Sequence, residues 1–162
     1  MKKAAVLSTL VTVLLLAAGF VAEAQPPSWT QPALGGPFLL QVNDAFFRQS
    51  APYPRGETLA EGIFLFVDIN ILNNSEGNLQ IPRFTLQDSR GIKYLTAIRA
   101  RRSRNAILGG ESLHPGVNKR GYLIFDVPSL YGFESFPLRY KLQIDNSRDT
   151  MDVNVYKKVE NE

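Results

Sequence analysis

Four arginines fall within six residues at Arg99-Ala100-Arg101-Arg102-Ser103-Arg104. A guanidinium is planar, permanently charged and fork-shaped, so several side by side suit phosphate, sulfate or carboxylate. Outside a cell the matching polyanions are lipopolysaccharide, teichoic acid, acidic glycan and released DNA. A nucleic-acid groove adds aromatic side chains on which bases stack, and none is interleaved here. The same run also reads as a solvated loop between sheets, or as charge that keeps an edge strand from pairing with another molecule.

Other chemistry is sparse. His114 is the only histidine and stands directly before Pro115. A Ser-His-Asp relay would have to use it with Ser112 or Ser129, yet nothing in the spacing holds the imidazole between two partners. It reads as an exposed turn residue. One histidine and no cysteine cannot build a zinc or copper site, which needs several nitrogen or sulfur ligands. Asp145, Asn146, Asp149 and Asp152 offer oxygens to calcium, but their spacing lacks the central Gly and terminal Glu of an EF-hand loop. A polar hairpin between two strands is expected there. No carboxylate pair is marked as the acid and base of a glycosidase. The expectation is a non-enzyme without cofactor or metal, a small extracytoplasmic glycan hydrolase being the enzymatic alternative.

The N-terminus says where such a surface would work. Lys2 and Lys3 precede an apolar run from Ala4 to Val21, and Ala22-Glu23-Ala24 supplies small residues for a signal peptidase. This is the layout of an export leader with Gln25 as the mature start. An uncleaved anchor is the other reading, since 18 residues approach the lower limit for crossing a bilayer. No later segment is long and apolar enough to cross one. The expected address is periplasmic or secreted.

Of 162 residues, the leader takes residues 1–24 and leaves 138, which suits one domain. Loss of Lys2, Lys3 and Glu23 takes 18 basic and 15 acidic residues to 16 and 14, a net charge of +2. That is too weak to imply specific nucleic-acid binding by itself. Without cysteine, stability has to come from the core rather than from disulfides. Residues 25–37 hold four prolines and two glycines, a tether without packed structure. Trp29 within it is costly to leave in water and should dock on the domain or on a partner. The domain proper is 38–162.

Within it, Ile63, Leu65, Val67, Ile69 and Ile71 alternate with residues that turn polar at Asp68 and Asn70. Successive strand side chains point to opposite faces, so the five form one core-facing row. Phe64 and Phe66 then face the other way. Either the tether covers them, through Trp29, or they form an exposed patch for a protein partner. Weaker strands follow at 38–47, 81–88, 92–95, 121–127, 139–144 and 151–156, with Pro82 marking an edge or bend. At most a single helical turn is expected, near Pro128–Tyr131. Asn73-Asn74-Ser75 fits a glycosylation acceptor. About seven short strands with turn signals between them argue for an all-β, antiparallel two-sheet sandwich. The aliphatic row should pack against Leu123, Phe125 and Val127 from an opposing layer.

Three of these pieces occur in a familiar order: a strand ending in Asn73-Asn74, the turn Asp88-Ser89-Arg90-Gly91-Ile92-Lys93-Tyr94, and the stretch Leu113-His114-Pro115-Gly116 leading through Gly121-Tyr122-Leu123-Ile124-Phe125-Asp126-Val127-Pro128. Over Phe38 to Ile144 the chain resembles an uncharacterised family of exported bacterial domains, similar to the small secreted mycobacterial immunogenic antigen. The resemblance implies an immunoglobulin-like β-sandwich and an extracytoplasmic address, and brings no catalytic residues. The expected role is binding or scaffolding an extracytoplasmic protein partner. The alternative is binding an anionic glycan or lipopolysaccharide through the arginines.

Overall fold

The computed structural model describes residues 37–53, 56–129, 137–145 and 150–156. In chain order the strands are β1 (Phe38–Tyr53), β2 (Gly56–Asn73), β3 (Leu79–Gln80), β4 (Phe84–Asp88), β5 (Lys93–Leu95), β6 (Ser112–Leu113), β7 (Asn118–Val127), β8 (Leu138–Ile144) and β9 (Thr150–Val155). A short 3-10 turn at Ile98–Ala100 lies between β5 and β6. The helical turn expected at 128–131 falls partly outside the described residues. The leader with Ala22, Ala24 and Gln25, the tether with Trp29, and Asn146 and Asp149 also lie outside them.

Two antiparallel sheets form the body, ordered β1-β2-β7 and β5-β4-β8-β9, with β3 and β6 pairing as a small separate ladder. This order matches the A-B-E and C′-C-F-G sheets of an immunoglobulin-like sandwich. The five aliphatics of β2 are buried. Their neighbours correct the expectation, however. Ile63 pairs with Val127, Leu65 with Phe125 and Val67 with Leu123, so β7 lies beside β2 in one sheet rather than opposite it. The opposing layer is built from Phe84, Leu86, Tyr140, Leu142, Val153 and Val155. Alternation reports which way a side chain points, and is silent on which strand stands beside or across from it.

Several boundaries moved for local reasons. The expected strand at 81–88 begins only at Phe84, as β4, because Pro82 has no N–H for a ladder; the two-residue β3 ends before it. β1 runs six residues past Phe47 and forms a hairpin arm with the start of β2. Its register shifts between Val42 and Asp44, where the Asp44 carboxylate accepts the Ala45 N–H at 2.8 Å. β8 and β9 pair antiparallel, Gln143 opposite Thr150, and Asp152 lies within β9.

Asn73 is fully buried at the end of β2. Its Nδ2 donates to the carbonyls of Gly77 and Leu113, both at 2.8 Å, while Oδ1 accepts from Ser75 N and Oγ. Gly116, at φ +70°, donates its N–H to the Asn73 carbonyl. The side chain thus pins the β2 end to the β6–β7 turn. A buried amide with both hydrogens engaged is no glycan acceptor, which corrects that reading.

Candidate anion-binding surface

The outer face of the first sheet is aromatic. Phe66 stacks on Phe46 with ring centroids 5.4 Å apart, and meets Phe64 and Tyr122 edge-on. The Arg48 guanidinium lies 5.3 Å from the Phe46 ring and 6.0 Å from that of Phe66. Phe64 and Phe66 are buried, together with Ala51, Ala100 and Ile124. They therefore offer no partner surface, which corrects the second of the two readings. Among the described residues the cover is the segment between β5 and Ile107; Trp29 lies outside them.

That segment is a cap, and its sequence is built for the purpose. Ala97, Ala100, Ser103 and Ala106 recur every third residue. Ala100 N–H donates to Ala97 O at 3.0 Å, Ser103 to Ala100 at 2.9 Å, and Ala106 to Ser103 at 3.1 Å. Three residues per turn is the 3-10 period, so these small side chains share one side. Ala97, Ala100 and Ala106 pack on the aromatic face. A bulky residue at any of these positions would hold the cap off the sheet.

The cap is also hydrogen-bonded along the outer edge of β7. Ala97 N donates to Ile124 O at 2.7 Å, Ile107 N to Tyr122 O at 2.9 Å, and Tyr122 N to Asn105 O at 2.9 Å. Asn105 adopts φ +61°, a left-handed turn that asparagine tolerates. Gly121 makes the crossing possible: a Cβ there would sit 2.4 Å from Asn105 O and 2.8 Å from Ile107 Cγ1.

With the small residues facing down, the arginines face out. Arg99, Arg101, Arg102 and Arg104 are all exposed. Arg99 pairs with Glu61 on the hairpin arm. Arg101, Arg102 and Arg104 have no carboxylate partner among the described residues. Arg99, Arg101 and Arg102 share an open depression of about 340 Å³ with Thr58 and Ile98; Arg104 stands outside it. The structure thus brings together three of the four predicted cations. The small residues that place them, Ala97, Ala100, Ser103 and Ala106, are visible in the sequence at a period of three.

The remaining candidates do not converge. His114 Nδ1 donates to Asn78 Oδ1 at 2.8 Å and the ring is exposed. Ser129 lies beyond the opposite end of β7, roughly 30 Å away along a strand of that length. Asp145 accepts from the Thr85 hydroxyl at 2.9 Å, while Asp152 sits on β9 opposite Lys141. Among the described residues no three acidic, His or Cys groups are placed to hold a metal ion.

A larger groove of about 690 Å³ runs over β4, β8 and β9, lined by Arg139, Lys141, Asp152, Asn154 and Tyr156 and bounded by the Asp88 turn. Burial pushes the Asp88 carboxyl upward, but hydrogen bonds from Arg90, the Ile92 N–H and the Tyr94 hydroxyl outweigh it and hold the group below its ordinary value. A carboxylate kept ionised in this way is poorly suited to donate a proton. Cations and carboxylates alternate along this groove, in contrast to the single sign of the cap.

Fold and surface together define an all-β, immunoglobulin-like sandwich whose loop cap presents cations. Residues 31–149 match DUF4352, a domain of unknown function, and the chain belongs to that family. Among solved structures it is similar to an uncharacterised β-sandwich protein from Clostridium difficile, at 12% identity and TM-score 0.52, over 78% of this chain and 91% of that one. It is also similar to a candidate lipoprotein from Bacillus subtilis, at 13% identity and TM-score 0.48, over 80% of this chain but only 38% of that one. No curated protein matches the chain. Among the described residues no helix is long and apolar enough to cross a membrane.

Proposed function

We propose that this protein is an exported, non-catalytic binding domain that engages an anionic extracytoplasmic partner through its arginine cap. The observation carrying this reading is that Arg101 and Arg102 lack carboxylate partners among the described residues while lining one depression with Arg99 on a hydrogen-bonded scaffold. With no carboxylate to displace among the described residues, Arg101 and Arg102 can turn their donors to a phosphate, sulfate or carboxylate. The export address rests on Lys2, Lys3, the apolar run and Ala22-Glu23-Ala24. The resemblance of Phe38 to Ile144 to a family of exported bacterial domains is in keeping with that address. The non-catalytic reading rests on the sequence, which marks no acid–base carboxylate pair and no nucleophile relay.

The test is retention on immobilised heparin, an acidic glycan, along a salt gradient. The wild-type chain should bind at low salt and elute steeply, as expected when bound counterions are released. Arg101→Ala, Arg102→Ala and Arg104→Ala together should abolish retention. Equal elution of the triple variant and wild type would refute the assignment of the cap.

A further inference from the structure

The two most exposed large hydrophobic side chains among those described are Ile98 at 77% and Leu95 at 72%. They stand three residues apart where the chain leaves β5 and enters the cap. Between them, Ala97 packs down on the aromatic face. Ile98 also lines the depression that holds Arg99, Arg101 and Arg102. A single exposed aliphatic is ordinary on a protein surface. Here Ile98 lies among the arginines and Leu95 precedes it at the end of β5, so exposed apolar and cationic side chains follow one another where the chain enters the cap.

The geometry points to docking of this stretch on an anionic lipid membrane surface, an inference that rests on the anion-binding role of the cap. The guanidinium groups would take headgroup phosphates, while Ile98 and Leu95 enter the interface just below them. A soluble acidic glycan would satisfy the arginines and leave both aliphatics in water. A lipid interface satisfies both, because charge and apolar matter lie within a few ångströms of each other there. The Arg99–Glu61 pair does not stand in the way: an exposed ion pair is weak and can exchange for phosphate. Each basic residue near an anionic leaflet strengthens binding about fivefold. Burial of one aliphatic side chain adds about tenfold.

Co-sedimentation with lipid vesicles tests this, using the exported chain and variants that share its N-terminus. Wild type should bind phosphatidylglycerol-containing vesicles and not vesicles of phosphatidylcholine alone. Arg101→Ala with Arg102→Ala should weaken binding about 25-fold. Leu95→Ser, which lies outside the arginine depression, should weaken vesicle binding about tenfold while heparin retention is unchanged. The position is exposed, and an unchanged circular dichroism spectrum checks the fold. Vesicle binding by the serine variant equal to wild type would overturn the inference and leave the anion-binding role standing. So would equal binding to neutral vesicles, or an equal loss on both supports. Heparin retention that ignores the arginines would instead remove the role on which the inference rests.

Discussion

Asp88 and Tyr140 sit beside each other in register, on β4 and β8, and titrate in opposite directions for different reasons. Asp88 accepts from Arg90 N, Nε and Nη2, from Ile92 N, and from the Tyr94 hydroxyl at 3.0 Å or less. Its folded-state pKa lies below that of the unfolded chain. The stabilisation is therefore present above about pH 4 and lost as pH falls through the folded value. Asp88→Ala should cost about 1–3 kcal/mol at neutral pH and flatten the acid limb of stability, as read by urea unfolding at pH 7 and at pH 3. Tyr140 is buried in the core, and burial first, with the nearby Tyr94 and Asp88 charges, raises its phenol to about 12. A raised value means stability held below about pH 10 and lost as pH climbs through about 12. Absorbance titration at phenolate wavelengths should show a late component that Tyr140→Phe removes. Neither shift was legible in the sequence. The Asp88-Ser89-Arg90-Gly91 turn was, but the donors around it depend on where Tyr94 returns.

At the level of elements, the cap separates what pattern reading reached from what it missed. The arginine cluster was legible as charge, and the outward direction of Phe64 and Phe66 followed from alternation. What covers those rings was not legible from strand periodicity, because the cover has a period of three rather than two. Ala97, Ala100, Ser103 and Ala106 carry that signal plainly once the 3-10 period is considered. Their burial gives a direct test. Ala100→Asp would place a carboxylate against Phe64 and Ile124 without a partner, and should unseat the cap. Gly121→Val should do the same from below, since even a Cβ meets the Asn105 carbonyl. Both variants should lose at least about 2 kcal/mol of stability, bind more of a hydrophobic dye through the uncovered rings, and become sensitive to trypsin at the cap arginines. A variant that keeps wild-type stability and protease resistance would show that the segment is not seated as described.

For the molecule as a whole, the fold class was readable because β2 carries an uninterrupted aliphatic row long enough to commit a full sheet face. The pairing of β7 with β2, rather than across from it, is settled by three-dimensional closure, which no local pattern encodes. Leu65 lies at the centre of this arrangement, fully buried and paired with Phe125. Leu65→Ala should destabilise the domain by about 2–5 kcal/mol, whereas Ile98→Ala, at an exposed position, should change stability by less than about 0.5 kcal/mol. Comparing the two by chemical unfolding separates core from surface. Most of the fold was therefore legible, and little of the site, because a binding surface is assembled by turns from residues whose neighbours come from elsewhere in the chain.

The threefold phase of the cap has an evolutionary corollary. Adding or removing three residues between the Ala97 and Ile107 anchors would keep the small side chains in phase with the aromatic floor, the extra turn being taken up by the span between those anchors. A one-residue insertion would rotate an arginine onto that floor. Relatives of this protein are thus expected to vary this loop in triplet steps, lengthening or shortening their basic display without rebuilding the sandwich beneath it.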